Sequence, residues 1–351
     1  MKKRPVYAFV MAGGSGERFW PLSRQATPKH LLRLLDDETL LEKTIRRLEG
    51  LIPLENIFVL TNHLQAAATR EAVPFLPAGN IIAEPAKRDT APACALGTAI
   101  AHAMDPDALC VVLPADAVIH DAVAFRECLD EAIEAAEGGA IVTLGVPPTF
   151  PSTGYGYLET GPPMRLGSRS LALKRFVEKP DLETADAYVK SGTYLWNAGI
   201  FVWKASTFIA EADRQSPRLS GFIRSLTDID ALSTLMEGEF ATLPKISVDY
   251  AIMENAREVV TVPALFDWDD VGSWAALPAH LPADENSNSL RGKVVIHRSH
   301  ENIAISTSRL VALCGVENLV VVETPDAVLV CHRDSVQEVK AFQSQLPDSL
   351  K

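Results

Sequence analysis

Val6-Tyr7-Ala8-Phe9-Val10-Met11-Ala12-Gly13-Gly14-Ser15-Gly16-Glu17-Arg18 is the stretch from which the fold can be read. Apolar residues on consecutive positions over Val6 to Met11 indicate a strand buried on both faces. The glycines that follow turn backbone N–H groups toward a bound phosphate, and Arg18 adds a planar fork of donors. A glycine-rich turn is also the ordinary way for a strand to pass into a helix. A second cation, Lys29 in Pro28-Lys29-His30, favours the anion-binding reading. Two familiar phosphate loops are excluded: a dinucleotide fingerprint from Gly14 requires glycine at Phe19, and a P-loop from Gly13 requires Gly-Lys at Arg18-Phe19.

Outward from this loop, strand-like runs at Ile57 to Leu60, Leu109 to Leu113 and Ala140 to Leu144 alternate with helical spacing. The helical stretches are Leu40 to Leu48, Leu64 to Val73, Ala91 to Met104 and Ala122 to Ala136. Alternation of this kind predicts an α/β fold with a mostly parallel sheet covered on both faces. Its ligands bind beyond the carboxyl ends of the strands, which directs attention to the loops after Met11 and Leu113. From Tyr155 the pattern becomes mixed, with strands at Leu171 to Val177 and Ile200 to Trp203, and reads as an insertion covering the sheet. Pro282 to Ser289 reads as a linker. Brief runs at Val294 to Ile296, Ile303 to Ile305, Leu319 to Val322 and Val328 to Val330 predict a small β-rich domain, with a short β-helix among its possible forms. An amphipathic stretch from Ser335 to Phe342 closes it. The expected domains are therefore 1–281 and 290–351.

The chain of 351 residues carries a formal charge of −12, distributed unevenly. Residues 1–90 hold 13 bases and 10 acids, residues 91–290 hold 13 and 28, and residues 291–351 hold 7 and 7. The total argues against nucleic-acid partners and against a basic membrane-surface protein, while the mildly basic first segment remains suited to a small anion. No apolar run approaches the roughly 18 residues needed to span a bilayer, and the run before Gly13 is too short for a signal peptide. Five cysteines without a C-x-x-C pair fit a reducing cytoplasm rather than a disulfide framework or thiolate zinc site.

Gly13-Gly14-Ser15-Gly16-Glu17-Arg18-Phe19-Trp20-Pro21-Leu22-Ser23-Arg24, with Pro28-Lys29, resembles the signature of sugar-1-phosphate nucleotidyltransferases. Phe176-Val177-Glu178-Lys179-Pro180 resembles a second signature, that of the mannose-1-phosphate guanylyltransferase branch. Glu84-Pro85 with Arg88-Asp89-Thr90-Ala91-Pro92, Trp196 to Phe201, Ser247 to Glu254 and Asp270-Val271-Gly272-Ser273-Trp274 follow in family order. The resemblance covers residues 6 to about 280. It implies a Rossmann-like three-layer nucleotidyltransferase core, to which the strand-like runs above add a small C-terminal β-rich domain. The family usually has Gln-Phe-Leu after Pro-Lys, whereas this chain has His30-Leu31-Leu32, which weakens any base-contacting role for position 30. The longer bacterial members carry a further cupin-like isomerase domain that 351 residues do not accommodate, so transferase activity alone is expected.

The activity so implied joins GTP and mannose 1-phosphate into GDP-mannose and pyrophosphate. Another guanylyltransferase, acting on a heptose or fucose 1-phosphate, and a non-catalytic nucleotide-sugar sensor are the alternatives. By motif position, Arg18 and Lys29 hold the triphosphate, with Ala12, Gly13, Gly14, Ser15, Gly16, Arg88 and Thr90 around the nucleotide. Lys179 holds the sugar phosphate and Glu178 takes sugar hydroxyls, with Gly156, Asn197 and Gly199 framing the sugar. Asp116 and Asp270 suit Mg²⁺, which binds through one or two carboxylates plus phosphate oxygens and water. Their local alternatives are a helix N-cap and a turn residue. Glu84 is the candidate for guanine, whose N1–H and 2-amino group a carboxylate can accept together. A capping role or pairing with Arg88 is its alternative. The C-terminal segment has two expected uses, as a homodimer contact or as a cap on the core.

Overall fold

The computed structural model describes residues 4–14 and 16–351. Strands β1 (Val6–Met11), β2 (Ile57–Asn62), β3 (Ile81–Glu84), β4 (Leu109–Pro114) and β5 (Ile141–Val146) alternate with helices α1 (Leu40–Arg46), α2 (Ala66–Ala72), α3 (Thr90–Met104) and α4 (Ala122–Glu137). Strands β6 (Tyr157–Pro163), β7 (Leu171–Val177), β8 (Tyr194–Lys204) and β9 (Val259–Pro263) complete a nine-stranded sheet in the order β3-β2-β1-β4-β8-β5-β9-β7-β6. The first four strands are parallel, as expected from the alternation. The later part corrects the expectation of a mostly parallel sheet, because β8 runs antiparallel between β4 and β5, and β7 antiparallel to β9. Hydrophobic runs record burial, and direction is set only by which distant strand supplies the partner.

Both faces of the sheet are covered, which makes three layers. α1 and α4 bury Leu41, Ile45, Phe125, Leu129 and Ile133 against one face. On the other, α3 is buried over all of Ala91 to Ala101. Its small side chains allow close approach to the sheet, and a further helical layer lies outside it. Local capping agrees with these helix starts: Thr39 and Glu42 form a reciprocal capping box on α1, and Asp121 accepts from the Val123 and Ala124 N–H groups of α4. Asp116 is therefore not the cap of α4. No helix among the described residues is long and apolar enough to cross a membrane.

The C-terminal part is a short β-helix. β10 (Ser289–Arg291), β12 (Ile303–Ser306) and β14 (Leu319–Glu323) stack in parallel, with β15 (Val328–His332) antiparallel on β14. β11 (Val294–His297) and β13 (Val311–Cys314) pair as its second face. The stretch read as a linker is folded at its end: Asn288 is buried, and its Oδ1 accepts from Asn302 Nδ2 at 3.0 Å. Asn302 Oδ1 in turn accepts from the Leu319 N–H at 3.0 Å, so one asparagine ladder ties successive coils together. The expected closing helix is present as a 3-10 helix, Arg333–Gln345, followed by a short 3-10 turn, Asp348–Leu350. Ile303, Ile305, Val320, Val322, Val336 and Val339 share one apolar cluster with Phe19, Trp20, Leu34, Val271 and Trp274. The β-helix is thus welded to the segments that follow the glycine loop and the Asp270 turn.

Candidate active site

The glycine loop leaves β1 between two strand ends. Thr61 Oγ1 donates to the Ala12 carbonyl at 3.0 Å, and Gln65 Nε2 to the Gly14 carbonyl at 3.3 Å and the Gln25 carbonyl at 3.1 Å. These bonds hold the loop from the β2–α2 corner. Gly16 sits at φ 61°, and a Cβ there would lie 2.5 Å from the Lys29 backbone nitrogen. Only glycine combines that conformation with that approach. The next turn, Glu17–Phe19, buries Phe19 and leaves Arg18 facing a cleft of about 640 Å³ at the carboxyl ends of β1 and β4.

Lys29 joins the loop to two carboxylate segments. Its ammonium lies 3.0 Å from Asp116 Oδ2 and also donates to the Asp270 carbonyl. Burial opposes ionisation of Asp116, but Lys29 outweighs it and holds that carboxyl below its ordinary pKa. Asp270 is shifted the other way. Burial, with repulsion from Asp269 and Asp116, raises it although Tyr155 donates to Oδ1 at 2.5 Å and Lys29 lies near. Two carboxylates repelling across a cleft make a suitable donor pair for a divalent cation whose remaining ligands are phosphate oxygens and water. No group of three or more possible metal ligands occurs among the described residues.

Asp269 supports this turn from behind. Its Oδ1 accepts from the Val271 N–H at 2.7 Å, and its Oδ2 lies 2.9 Å from His280 Nε2. His280 Nδ1 lies 3.1 Å from His120 Nε2. Val271 is held at φ 43°, a costly conformation for a β-branched residue, and these bonds help to impose it.

Across the cleft, Gly156 lies against Glu178, since a Cβ at that position would be 2.7 Å from Oε2. Lys179, at φ 46°, forms an ion pair with Glu178. Burial opposes its charge, yet that hydrogen bond prevails and keeps its pKa above the ordinary value. Asn197 Oδ1 accepts from Thr143 Oγ1 at 2.9 Å and from the Gly199 N–H at 3.1 Å. The amide nitrogen is thereby directed to Asp249 Oδ1, 3.4 Å away. Burial, reinforced by Glu178, pushes Asp249 up to about 6. Tyr155 stacks edge-on against Trp196 and Trp268 with centroids 5.1 and 5.3 Å away, forming an aromatic side to the same region. Trp203, by contrast, is a core residue whose indole N–H donates to Thr98 Oγ1 at 3.1 Å.

The cleft wall therefore gathers Gly16, Arg18, Lys29, Thr90, Asp116, Gly156, Glu178, Lys179, Asn197, Gly199 and Asp270 from the residues singled out in the sequence. Ala12 is buried beneath the loop, Gly13 and Gly14 are exposed on it, and Ser15 lies outside the described residues. Glu84 and Arg88 are not part of the wall. Arg88 donates to the Ala241 carbonyl and forms no ion pair with Glu84. Burial raises Glu84 to about 8. His30 is buried, and loss of solvent lowers it to about 4, outweighing the attraction of Asp116. Sequence reasoning assigned no role to Asp249, Asp269, His280 or Lys340. Asp249 lies within a quoted motif, but the spacing of that motif carries no sign of its burial. Lys340, in the C-terminal helix, reaches the cleft from a segment with no motif at all.

A cleft at the strand ends, with a glycine loop, cations and two facing carboxylates on this three-layer fold, defines a nucleotidyl transferase. The Nucleotidyl transferase family model matches residues 7–287, and that for the MannoseP isomerase/GMP-like beta-helix domain matches residues 292–346. A mannose-1-phosphate guanylyltransferase of Escherichia coli (strain K12) is 40% identical over 357 residues, covering 99% of this chain and 74% of its own length. The mannose-1-phosphate guanylyltransferase RfbM of Salmonella typhimurium is 39% identical over 347 residues, covering 96% and 71%. A crystal structure from Thermus thermophilus, described as a mannose-1-phosphate geranyltransferase, aligns with TM-score 0.85 at 37% identity over 97% of this chain and 98% of that one. The chain belongs to the mannose-1-phosphate guanylyltransferase family.

Proposed function

We propose that this protein transfers GMP from GTP to mannose 1-phosphate. A phosphate oxygen of the sugar phosphate attacks the α-phosphorus in line. As that P–O bond forms, the bond to the α,β-bridging oxygen breaks, and pyrophosphate leaves with the electron pair. Both reactants are anions, so the protein's task is to offset charge and align them. Arg18 and the N–H groups of the glycine loop bind the triphosphate, while Lys29 offsets charge on the departing pyrophosphate. Lys179 binds the sugar phosphate, and Glu178 with Asn197 orients the sugar through its hydroxyls. Asp116 and Asp270 would hold Mg²⁺, which supplies further neutralisation of phosphate charge when bound. Glu84 accepts from the guanine edge. Glu84 lies beyond the described cleft wall, and burial raises it to about 8, so it ionises as it gains the guanine N1–H and 2-amino donors.

The observation that carries this reading is the convergence of Arg18, Lys29, Asp116, Lys179 and Asp270 on one cleft from five separate segments. Relatives named for mannose 1-phosphate and guanylyl transfer supply the choice of sugar and base. The unpaired state of all five cysteines supports a cytoplasmic setting. Pyrophosphate release measured with GTP, ATP, UTP and dTTP, each against mannose, heptose and fucose 1-phosphates, tests it. Selective turnover of GTP with mannose 1-phosphate is expected. Preference for another sugar would reassign the substrate, and no turnover with any pair would remove the enzyme reading.

A further inference from the structure

The C-terminal 3-10 helix has three residues per turn, so positions i and i+3 eclipse. Val336, Val339 and Phe342 therefore form one stripe, packed into the cluster that contains Phe19 and Trp20. Trp20 meets Phe342 edge-on at 5.4 Å, and its indole N–H donates to the Leu350 carbonyl at 2.9 Å. Gln337, Lys340 and Gln343 form the adjacent stripe. Gln337 Nε2 donates to Ser273 Oγ at 3.2 Å, just after the Asp270 turn, and Gln343 Nε2 donates to the Glu17 carbonyl at 3.2 Å, next to Arg18. Lys340 lies one helical turn from each. Both of its neighbours are thus pinned to the rim of the cleft, and Lys340 lines it beside Glu17, Arg18 and Gly272.

Charge gives this position its meaning. Lys29 is already committed to Asp116 and the Asp270 carbonyl. Of the cations lining this side of the cleft, Arg18 and Lys340 are then left to meet a polyphosphate. We propose that Lys340 binds the β- and γ-phosphates of the triphosphate, and afterwards the released pyrophosphate, so that the C-terminal domain completes the anion site. This inference rests on the reading of the cleft as a triphosphate site. It gives the β-helix a direct part in binding: its apolar face fixes the height of the closing helix, and the helix sets the lysine on the rim.

Titration of the full-length protein with inorganic pyrophosphate in the presence of Mg²⁺, followed by calorimetry, tests the proposal independently of turnover. K340A should weaken pyrophosphate binding about five-fold, at the upper end for a single solvent-facing ion pair. K340E should weaken it further, and K340R should restore it. Binding of mannose 1-phosphate and the melting temperature should stay at wild-type values, whereas a merely structural role would lower the melting temperature and would not follow the sign of the charge. Unchanged pyrophosphate binding in both K340A and K340E, failure of K340R to restore it, or no binding by the wild type would overturn the proposal. A wild type that binds pyrophosphate in a Lys340-dependent way but turns over no GTP with mannose 1-phosphate would sink the proposed activity and leave this inference standing.

Discussion

Asp249 offers a stability test that also reports on the side of the cleft holding Glu178 and Asn197, where the proposed reaction places the sugar. Burial and the neighbouring Glu178 raise its pKa from an ordinary 3.8 to about 6. Between those values the folded protein keeps a proton that the unfolded chain has released, so rising pH removes stability across the window; above about pH 6 both forms are ionised and the loss is constant. A shift of about two units corresponds to about 3 kcal/mol at most, and relaxation of the site brings the expected figure to about 1–3 kcal/mol. Asp249→Asn removes the charge and retains an oxygen facing Asn197 Nδ2, which lies 3.4 Å from Oδ1. At pH 8 the variant should therefore be more stable than the wild type by about 1–3 kcal/mol, with about half of that advantage gone at pH 5. The KM for mannose 1-phosphate should rise at the same time, because strained carboxylates are kept where function uses them. Thermal or urea melts of both proteins at pH 8 and pH 5 provide the assay. An Asn variant less stable at pH 8, or one with the same advantage at both pH values, would refute the reasoning.

Three further perturbations follow from the geometry. Gly16→Ala combines a left-handed conformation with a Cβ 2.5 Å from the Lys29 nitrogen; it should cost about 1–3 kcal/mol and displace Lys29, read as a lower melting temperature together with lost pyrophosphate release. Glu84→Gln should narrow the preference for GTP over ATP by about ten-fold or more. Because the acid is raised to about 8 and guanine favours its ionised form, wild-type GTP affinity should increase as pH rises toward 8, and the Gln variant should lack that slope; unchanged relative use of GTP and ATP would remove the assignment. His280→Ala takes away the partner 2.9 Å from Asp269, loosening the turn that carries Asp270. The Mg²⁺ concentration for half-maximal activity should rise several-fold, the net worth of one ordinary hydrogen bond, about 1 kcal/mol, and an unaltered Mg²⁺ dependence would show that the turn holds without it.

Local pattern carried far in the first half of the chain. Val6 to Met11 is a strand with those same ends, and the four helical stretches between Leu40 and Ala136 are helices, because burial on a strand and burial on a helix face leave different periods in the sequence. The glycine loop was legible for a similar reason, since its backbone requires residues without a Cβ. Arg18, Lys29, Glu178, Lys179, Asn197 and Asp270 were legible as members of motifs, and the fold brings them together.

Other features have no local signature. The antiparallel entry of β8 between β4 and β5 depends on pairing between segments 50 or more residues apart. The raised Asp249, the Asp269–His280 support and the placement of Lys340 beside Arg18 arise in the same way, from surroundings assembled out of distant parts of the chain. Residue types and their spacing thus specified the four helices of the first half, most strands and the chemistry on offer, while the helices between Leu182 and Ala251 were not resolved from the pattern. Strand direction, proton affinity and the arrival of a C-terminal lysine beside the N-terminal glycine loop were decided by tertiary packing, because each is a property of neighbours in space that sequence order does not encode.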